Sequence, residues 1–264
     1  MSHWFVIGAG YTGGRLAERL RAEGERVTAT RREGGDGTVA LDLSRPGTVH
    51  VPDDAIVVCL APPGADPAGE VSRLSGARRL VYVSSTGVYA HGNGAWVDEH
   101  WPIAPVTASG KARVLAEKSL PPAAISLRVA GIHGPGRGLV DRIRAGKYRV
   151  LGDGRVHVSR IHVDDLVEAI VRAGRSKVAG PVNIADDDPA PIGEVADAIA
   201  ARLGVPAPPR LDPASVDPEI AGMLFADRRI LNTRMKRELG VVLRWASWRD
   251  VLDGLGTGEG RPGD

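Results

Sequence analysis

The apolar run Trp4-Phe5-Val6-Ile7, followed at once by Gly8-Ala9-Gly10-Tyr11-Thr12-Gly13, constrains this chain more than any other feature. The run reads as a buried first strand. Leu16 and Leu20, one turn apart, mark the apolar face of a helix from about Gly14 to Glu23, with Gly24 placed to cap its end. A G-x-G-x-x-G between a strand and a helix has the form of a dinucleotide-binding turn. Gly8 permits the tight turn, Gly10 lets the backbone approach a pyrophosphate, and Gly13 lets helix and strand pack closely. The helix start at Tyr11 and Thr12 supplies N–H donors and the positive end of a dipole. The alternative is a glycine-rich turn with no ligand.

In an NAD-type site a carboxylate stands about 20 residues on and accepts from the ribose 2′-hydroxyl. Here Thr30-Arg31-Arg32 occupies that place, with Glu33 one residue beyond. A guanidinium fork suits a 2′-phosphate and offers nothing specific to a bare hydroxyl, so NADP(H) is expected over NAD(H). The plainer reading of Arg31 and Arg32 is a solvated loop pair. Asp42, with Leu43 beside it, is placed either to accept from the adenine amino group or to serve as a salt-bridged turn residue.

The rest of the chain alternates short β-branched runs with helical periods, the pattern of an α/β protein with a Rossmann-type, doubly wound parallel sheet. Further strands are expected at Arg26 to Thr30, Val39 to Leu41, Ala55 to Leu60, Leu80 to Ser84, Ala124 to Leu127 and Val182 to Ile184. Helices are expected near Ala68 to Leu74, Ala108 to Lys118, Val163 to Ala173, Ile192 to Leu203, Asp227 to Leu239 and Ser247 to Leu255. Val205 to Asp217, with four prolines, reads as a loop, and 254–264 as a flexible tail.

Composition narrows the partners. With 34 Lys plus Arg against 32 Asp plus Glu and no long basic block, the chain carries no footprint for nucleic acid, and a small-molecule partner is expected. No apolar run approaches the ~18 residues needed to cross a bilayer, and the start of the chain does not read as a signal peptide, so no membrane partner is expected. The single cysteine, Cys59, lies in an apolar run and reads as a packed hydrophobe in a reduced, cytoplasmic setting. The 7 histidines, unclustered, give no metal signal. Ser84 and Ser85 do not sit in a serine-hydrolase elbow.

With Val81-Tyr82-Val83-Ser84-Ser85-Thr86-Gly87-Val88-Tyr89, the chain resembles a short-chain dehydrogenase/reductase of the extended or atypical kind, in the NAD-dependent epimerase/dehydratase group. The resemblance extends to Leu60-Ala61-Pro62-Pro63, to Leu127-Arg128 with Gly131-Ile132-His133-Gly134-Pro135-Gly136, and to Arg160-Ile161-His162-Val163-Asp164-Asp165. Val182-Asn183-Ile184-Ala185-Asp186 and Asn232-Thr233-Arg234 are also similar to the group. It implies one unit over 1–264. Residues 1–133 form most of the NAD(P)-binding core, completed by about 155–184, and about 134–154 with 185–253 form a small substrate-binding portion. Leu60, Ala61, Pro62 and Ser84 are then expected to face the cofactor.

Members of that family use a Ser or Thr after the fifth strand and Tyr-x-x-x-Lys on the next helix. The serine role falls on Ser85. Counting back from Glu117, the tyrosine position is Ser109 and the lysine position Arg113, so the pair is absent. A serine hydroxyl is a far weaker acid than a phenol at pKa ~10, and arginine does not give up its proton, so the two cannot rebuild the relay. Arg113 can still hold ribose or stabilise an oxyanion. Replacement acids are sought in Tyr89 and in His133, whose ordinary pKa of ~6.5 suits proton exchange at neutral pH; each has a packing role as its plain alternative. Thr86, Arg137 and Arg160 are candidates for substrate binding. His162 reads as the support of the following helix. Only 61–79 joins the fourth and fifth strands, so the family's dimer helices are shortened and the oligomeric state is left open.

Three functions fit. The first is an NADP-dependent oxidoreductase or epimerase/dehydratase-like enzyme acting on a small carbonyl or alcohol through a non-standard site. The second is an NADP(H)-binding sensor or structural module, and the third a redox-neutral dehydratase or cyclase on the same fold.

Overall fold

The computed structural model describes residues 1–217, 221, 222 and 224–255. The main sheet has seven strands: β1 (His3–Ile7), β2 (Arg26–Arg31), β3 (Val39–Ala40), β4 (Ala55–Cys59), β5 (Arg79–Ser85), β6 (Ile125–Val129) and β7 (Gly180–Ile184). They run in the order β7-β6-β5-β4-β1-β2-β3, every pairing parallel. β1, β4 and β6 are buried along their whole length, as strands covered on both faces must be. The order reverses direction between β1 and β4, and ligands of such sheets bind in the crevice beyond the strand ends at that point.

One face is covered by α1 (Tyr11–Ala22) and α5 (Val163–Arg175), whose Leu16, Leu20, Leu166 and Ile170 are fully buried against Trp4, Val58 and Val81. α2 (Pro67–Ser72) and α3 (Ala108–Lys118) lie on the other face, with Val71 and Ala116 packed on Phe5, Val57 and Tyr82. α1 begins three residues before the expected Gly14, because the glycine turn is itself the first turn of helix: Gly14 N–H already donates to Gly10 O at 2.8 Å.

A second core joins α4 (Leu139–Arg144), α6 (Ile192–Leu203) and α8 (Trp248–Gly254) through Ile143, Val195, Ile199 and Trp248. Ser247 and Asp250 form a reciprocal cap at the start of α8. α7 (Thr233–Leu239) packs Met235 and Leu239 against the main core.

Three expectations are corrected here. The helix expected over Asp227 to Leu239 is shorter, because Arg229–Ile230 is a strand paired in parallel with Trp96–Val97. Within the expected 205–217 loop, Arg210–Leu211 pairs with Val150–Leu151, and Pro213–Ser215 forms a single 3₁₀ turn. Gly254, expected to open the tail, instead ends α8, and Leu255 is half-buried; 256–264 lie outside the described residues. Among the described residues no helix is long and apolar enough to cross a membrane.

Candidate functional site

The glycine turn is built from contacts no other residue permits. Gly8 sits at φ +95°, and a Cβ there would stand 2.9 Å from Ala61 N. A Cβ on Gly13 would stand 2.3 Å from Gly8 O. Gly10 is different: a Cβ there meets nothing within 4 Å, so its missing side chain leaves open space in front of the helix. The N–H groups of Tyr11, Thr12 and Gly13 precede the first helical hydrogen bond and have no partner within the helix. An open backbone approach and free donors fit a pyrophosphate.

Arg31 closes the far side of this turn. Its Nε donates to Ala9 O at 2.9 Å and its Nη1 to Asp36 at 2.9 Å, which fixes the fork at the end of β2, while Arg32 is exposed. Asp42 takes the second of its two readings: it accepts from Ser44 N at 3.0 Å and Ser44 Oγ at 2.7 Å and pairs with Arg45 at 3.7 Å. Those Ser44 bonds hold its carboxyl below the ordinary range. Leu43 O accepts from Arg73 at 2.6 Å, and Leu60 N–H donates to Ile7 O at 2.8 Å, which ties the Leu60-Ala61-Pro62 segment to the turn.

At the end of β5, Ser84 Oγ is buried with no hydrogen-bond partner among the described residues. Ser85 Oγ accepts from Gly87 N at 3.0 Å and caps the short turn Thr86–Val88. Arg113, reaching up from α3, donates from Nη1 to Val83 O at 2.8 Å. Burial pushes the nearby Cys59 thiol up to about 12 despite the Arg113 charge, so this thiol stays protonated. Ser109 is exposed on α3.

Tyr89 lies in the core. It is fully buried, and its hydroxyl donates to Asn183 Oδ1 at 2.6 Å and accepts from Arg128 Nη1 at 3.1 Å. Burial pushes its pKa up to about 12. A phenol so placed and so occupied ties the segment after β5 to β6 and β7, which is the packing role. Arg128 in turn pairs with Glu117 at 2.7 Å, both nearly buried. The glutamate that marks the family's helix thus holds the end of β6. Arg228, also buried, donates to Thr86 O, Tyr89 O and Ala90 O at 2.7, 2.7 and 2.8 Å. Nothing in the local sequence around Arg228 signals this role.

His133, Arg137 and Arg160 come together around a cavity of about 300 Å³ between the loop after β6, α4, α6 and α8. A parallel pairing of Gly131–His133 with Arg160–His162 sets His133 opposite His162, their rings 5.3 Å apart. His162 stacks on Trp245 at 4.5 Å and accepts from Asp164 N at 3.3 Å, supporting the start of α5. Burial, helped by the His162 and Arg160 charges, lowers the His133 pKa to about 3. Burial thus keeps His133 neutral near neutral pH, which speaks against the expected exchange of a proton there. The cavity and the glycine turn share a wall, because Tyr11 Oη donates to Pro135 O at 3.1 Å while Arg15 and Arg137 lie over the Tyr11 ring.

Residues 64–185 match the model of the NAD dependent epimerase/dehydratase family. Over that stretch the chain is similar to the NAD dependent epimerase/dehydratase family. Over 205 residues it is 34 % identical to a 3-diazoavenalumate denitrifying reductase from a Streptomyces species, an alignment that spans 69 % of this chain and 66 % of the relative, just under two thirds of the latter's length. Among solved structures, a functionally unknown conserved protein from Silicibacter pomeroyi is similar at 29 % identity, with 97 % of this chain and 98 % of that one covered and a TM-score of 0.83. The human epimerase family protein SDR39U1 (isoform 2), solved with NADPH, shares the fold at 19 % identity, with 96 % and 98 % covered and a TM-score of 0.82. The seven-stranded parallel sheet is thus the family's Rossmann-like sheet.

Proposed function

We propose that the protein is an NADPH-using oxidoreductase that reduces a small substrate held in the cavity beside His133. The observation that carries this reading is the shared wall: the turn with free N–H donors and the cavity meet at Tyr11 and Pro135, 3.1 Å apart. A reductase among the relatives and an NADPH complex among the structures of the same fold support it. When bound, NADPH supplies the hydride.

The chain's own residues divide the remaining work. The N–H groups of Tyr11, Thr12 and Gly13 hold phosphate at a helix start, and Arg31 with Arg32 reads the 2′-phosphate. Arg113, fixed by Val83 O, presents a permanent cation near the end of β5. The neutral His133, in the cavity lining, orients the acceptor atom by hydrogen bonding, as a neutral imidazole can without becoming imidazolium. Trp245 and His162, stacked on each other, form one wall of the cavity.

The test is a fluorescence titration with NADPH and NADH, followed by NADPH consumption across a panel of small carbonyl and unsaturated compounds. We expect NADPH to bind at least about tenfold more tightly, since charge-assisted hydrogen bonds contribute about 1.5 to 3 kcal/mol. Equal dissociation constants would remove the NADPH assignment. Tight binding with no consumption by any compound would point to a binding module instead.

A further inference from the structure

If the cavity is the reductase's substrate site, its lining also says what class of substrate enters. At about 300 Å³ it is at the small end of the roughly 300–1,000 Å³ span of ligand pockets. One ring with a short chain fills such a space; a nucleotide with its sugar does not. The apolar part of the wall is Leu139, Val140, Val195, Ile199, Trp248 and Val251.

Among the described residues, two buried donors in this lining lack an acceptor. Arg160 is 6 % exposed; its Nη1 donates to Val158 O at 3.3 Å, and its Nη2 is buried with no partner. Trp248 is also 6 % exposed, with Nε1 buried and unbonded. Buried polar groups are hydrogen-bonded almost without exception, and a buried guanidinium is the most costly to leave unpaired. Asp186 lies close enough for its charge to act on Arg160, yet neither of its oxygens pairs with the guanidinium, and burial pushes its own pKa up to about 7. It supplies only part of a counter-charge. The rim adds to the imbalance: Arg137, Arg144 and Arg244 line the cavity with Asp141 and Asp164. Arg144 pairs with Asp141 at 3.3 Å and Asp164 lies 3.4 Å from His162 Nδ1, so Arg137 and Arg244 add two further cations to the rim.

We propose that the cavity takes a small organic acid anion, its carboxylate drawn by the cationic lining of Arg160, Arg137 and Arg244 and its flat apolar body packed on Trp248, Val195 and Ile199. A carboxylate there compensates the buried Arg160 charge from the cavity side.

The experiment is calorimetric titration of the full chain, with and without saturating NADPH, using 3-phenylpropanoate, its neutral isostere 3-phenylpropanamide, and UDP-glucose. We expect the acid to bind at least about tenfold more tightly than the amide, and Arg160→Met to erase that preference while Arg160→Lys keeps part of it. The acid–amide comparison in the unaltered protein stands even where Arg160→Met does not fold. Equal binding of acid and amide, binding of neither, or tighter binding of UDP-glucose would overturn the proposal. The reductase reading fails separately: absence of NADPH binding with the acid preference intact would remove it and leave the anion site standing.

Discussion

Replacing Gly10 by valine separates cofactor binding from folding, because Gly10 and Gly13 differ in what a side chain would meet. At Gly10 a Cβ finds nothing within 4 Å, so the cost of a side chain is confined to the backbone, whose φ of −86° and ψ of −146° lie outside the α and β regions. Folding stability should fall by about 1 kcal/mol, a shift in melting temperature of about 2 to 4 °C. The same methyl groups would fill the space before the free N–H donors of α1. Losing two charge-assisted hydrogen bonds at about 1.5 kcal/mol each raises the NADPH dissociation constant by at least about a hundredfold. Gly13→Val is the control: its Cβ would stand 2.3 Å from Gly8 O and 3.0 Å from Gly8 C, both backbone of the same turn. Overpacking of that kind costs about 3 kcal/mol, or about 6 to 12 °C. Thermal melts paired with fluorescence titration read both quantities. A Gly10→Val protein that binds NADPH like the parent, or that melts as low as Gly13→Val, would refute the assignment of this turn as a phosphate cradle.

Other perturbations probe the surrounding parts. Arg31→Ala should weaken NADPH by about tenfold or more and leave NADH nearly unchanged; equal losses for both would mean that Arg31 only braces Ala9 O. Tyr89→Phe should cost about 1 to 3 kcal/mol of stability by leaving Asn183 and Arg128 short of a partner, with turnover unaltered; a drop in turnover at unchanged melting temperature would return the phenol to the active site. For His133, burial lowers the folded pKa to about 3 from the ordinary 6.5. The unfolded chain therefore takes up the proton first as pH falls. Stability is full above pH ~6.5 and is lost progressively towards pH ~3, by about 2 kcal/mol at pH ~5. Denaturant melts of His133→Gln should show a flatter acid limb than the parent, and identical limbs would contradict a buried neutral imidazole.

The parts of the molecule legible in the sequence are those set by local pattern. Strand β1, the glycine turn and α1 follow from one apolar run, one glycine spacing and two leucines a turn apart, and β4 and β5 from short β-branched runs. The helix expected over 227–239 failed because Arg229–Ile230 is drawn into extended pairing with Trp96–Val97, more than a hundred positions away, and pairing across that distance has no local signature. The packing alternative for Tyr89 gains its support for a related reason. Its position after β5 is visible in the sequence, but the direction of its side chain is decided by Arg128 and Asn183, which arrive from β6 and β7. Likewise the cavity draws on α4, α6 and α8 at once, and the burial that neutralises His133 and isolates Arg160 exists only after those helices pack.

The three carbonyls held by Arg228 bear on the order in which the molecule is finished as it is made. Thr86, Tyr89 and Ala90 leave the ribosome some 140 residues before the guanidinium that pins them. At the roughly 5 to 20 residues per second of synthesis, the sheet strands up to β6 have several seconds to assemble first. A chain interrupted between β7 and Arg228 would carry all seven strands of the sheet and lack the guanidinium that holds these three carbonyls.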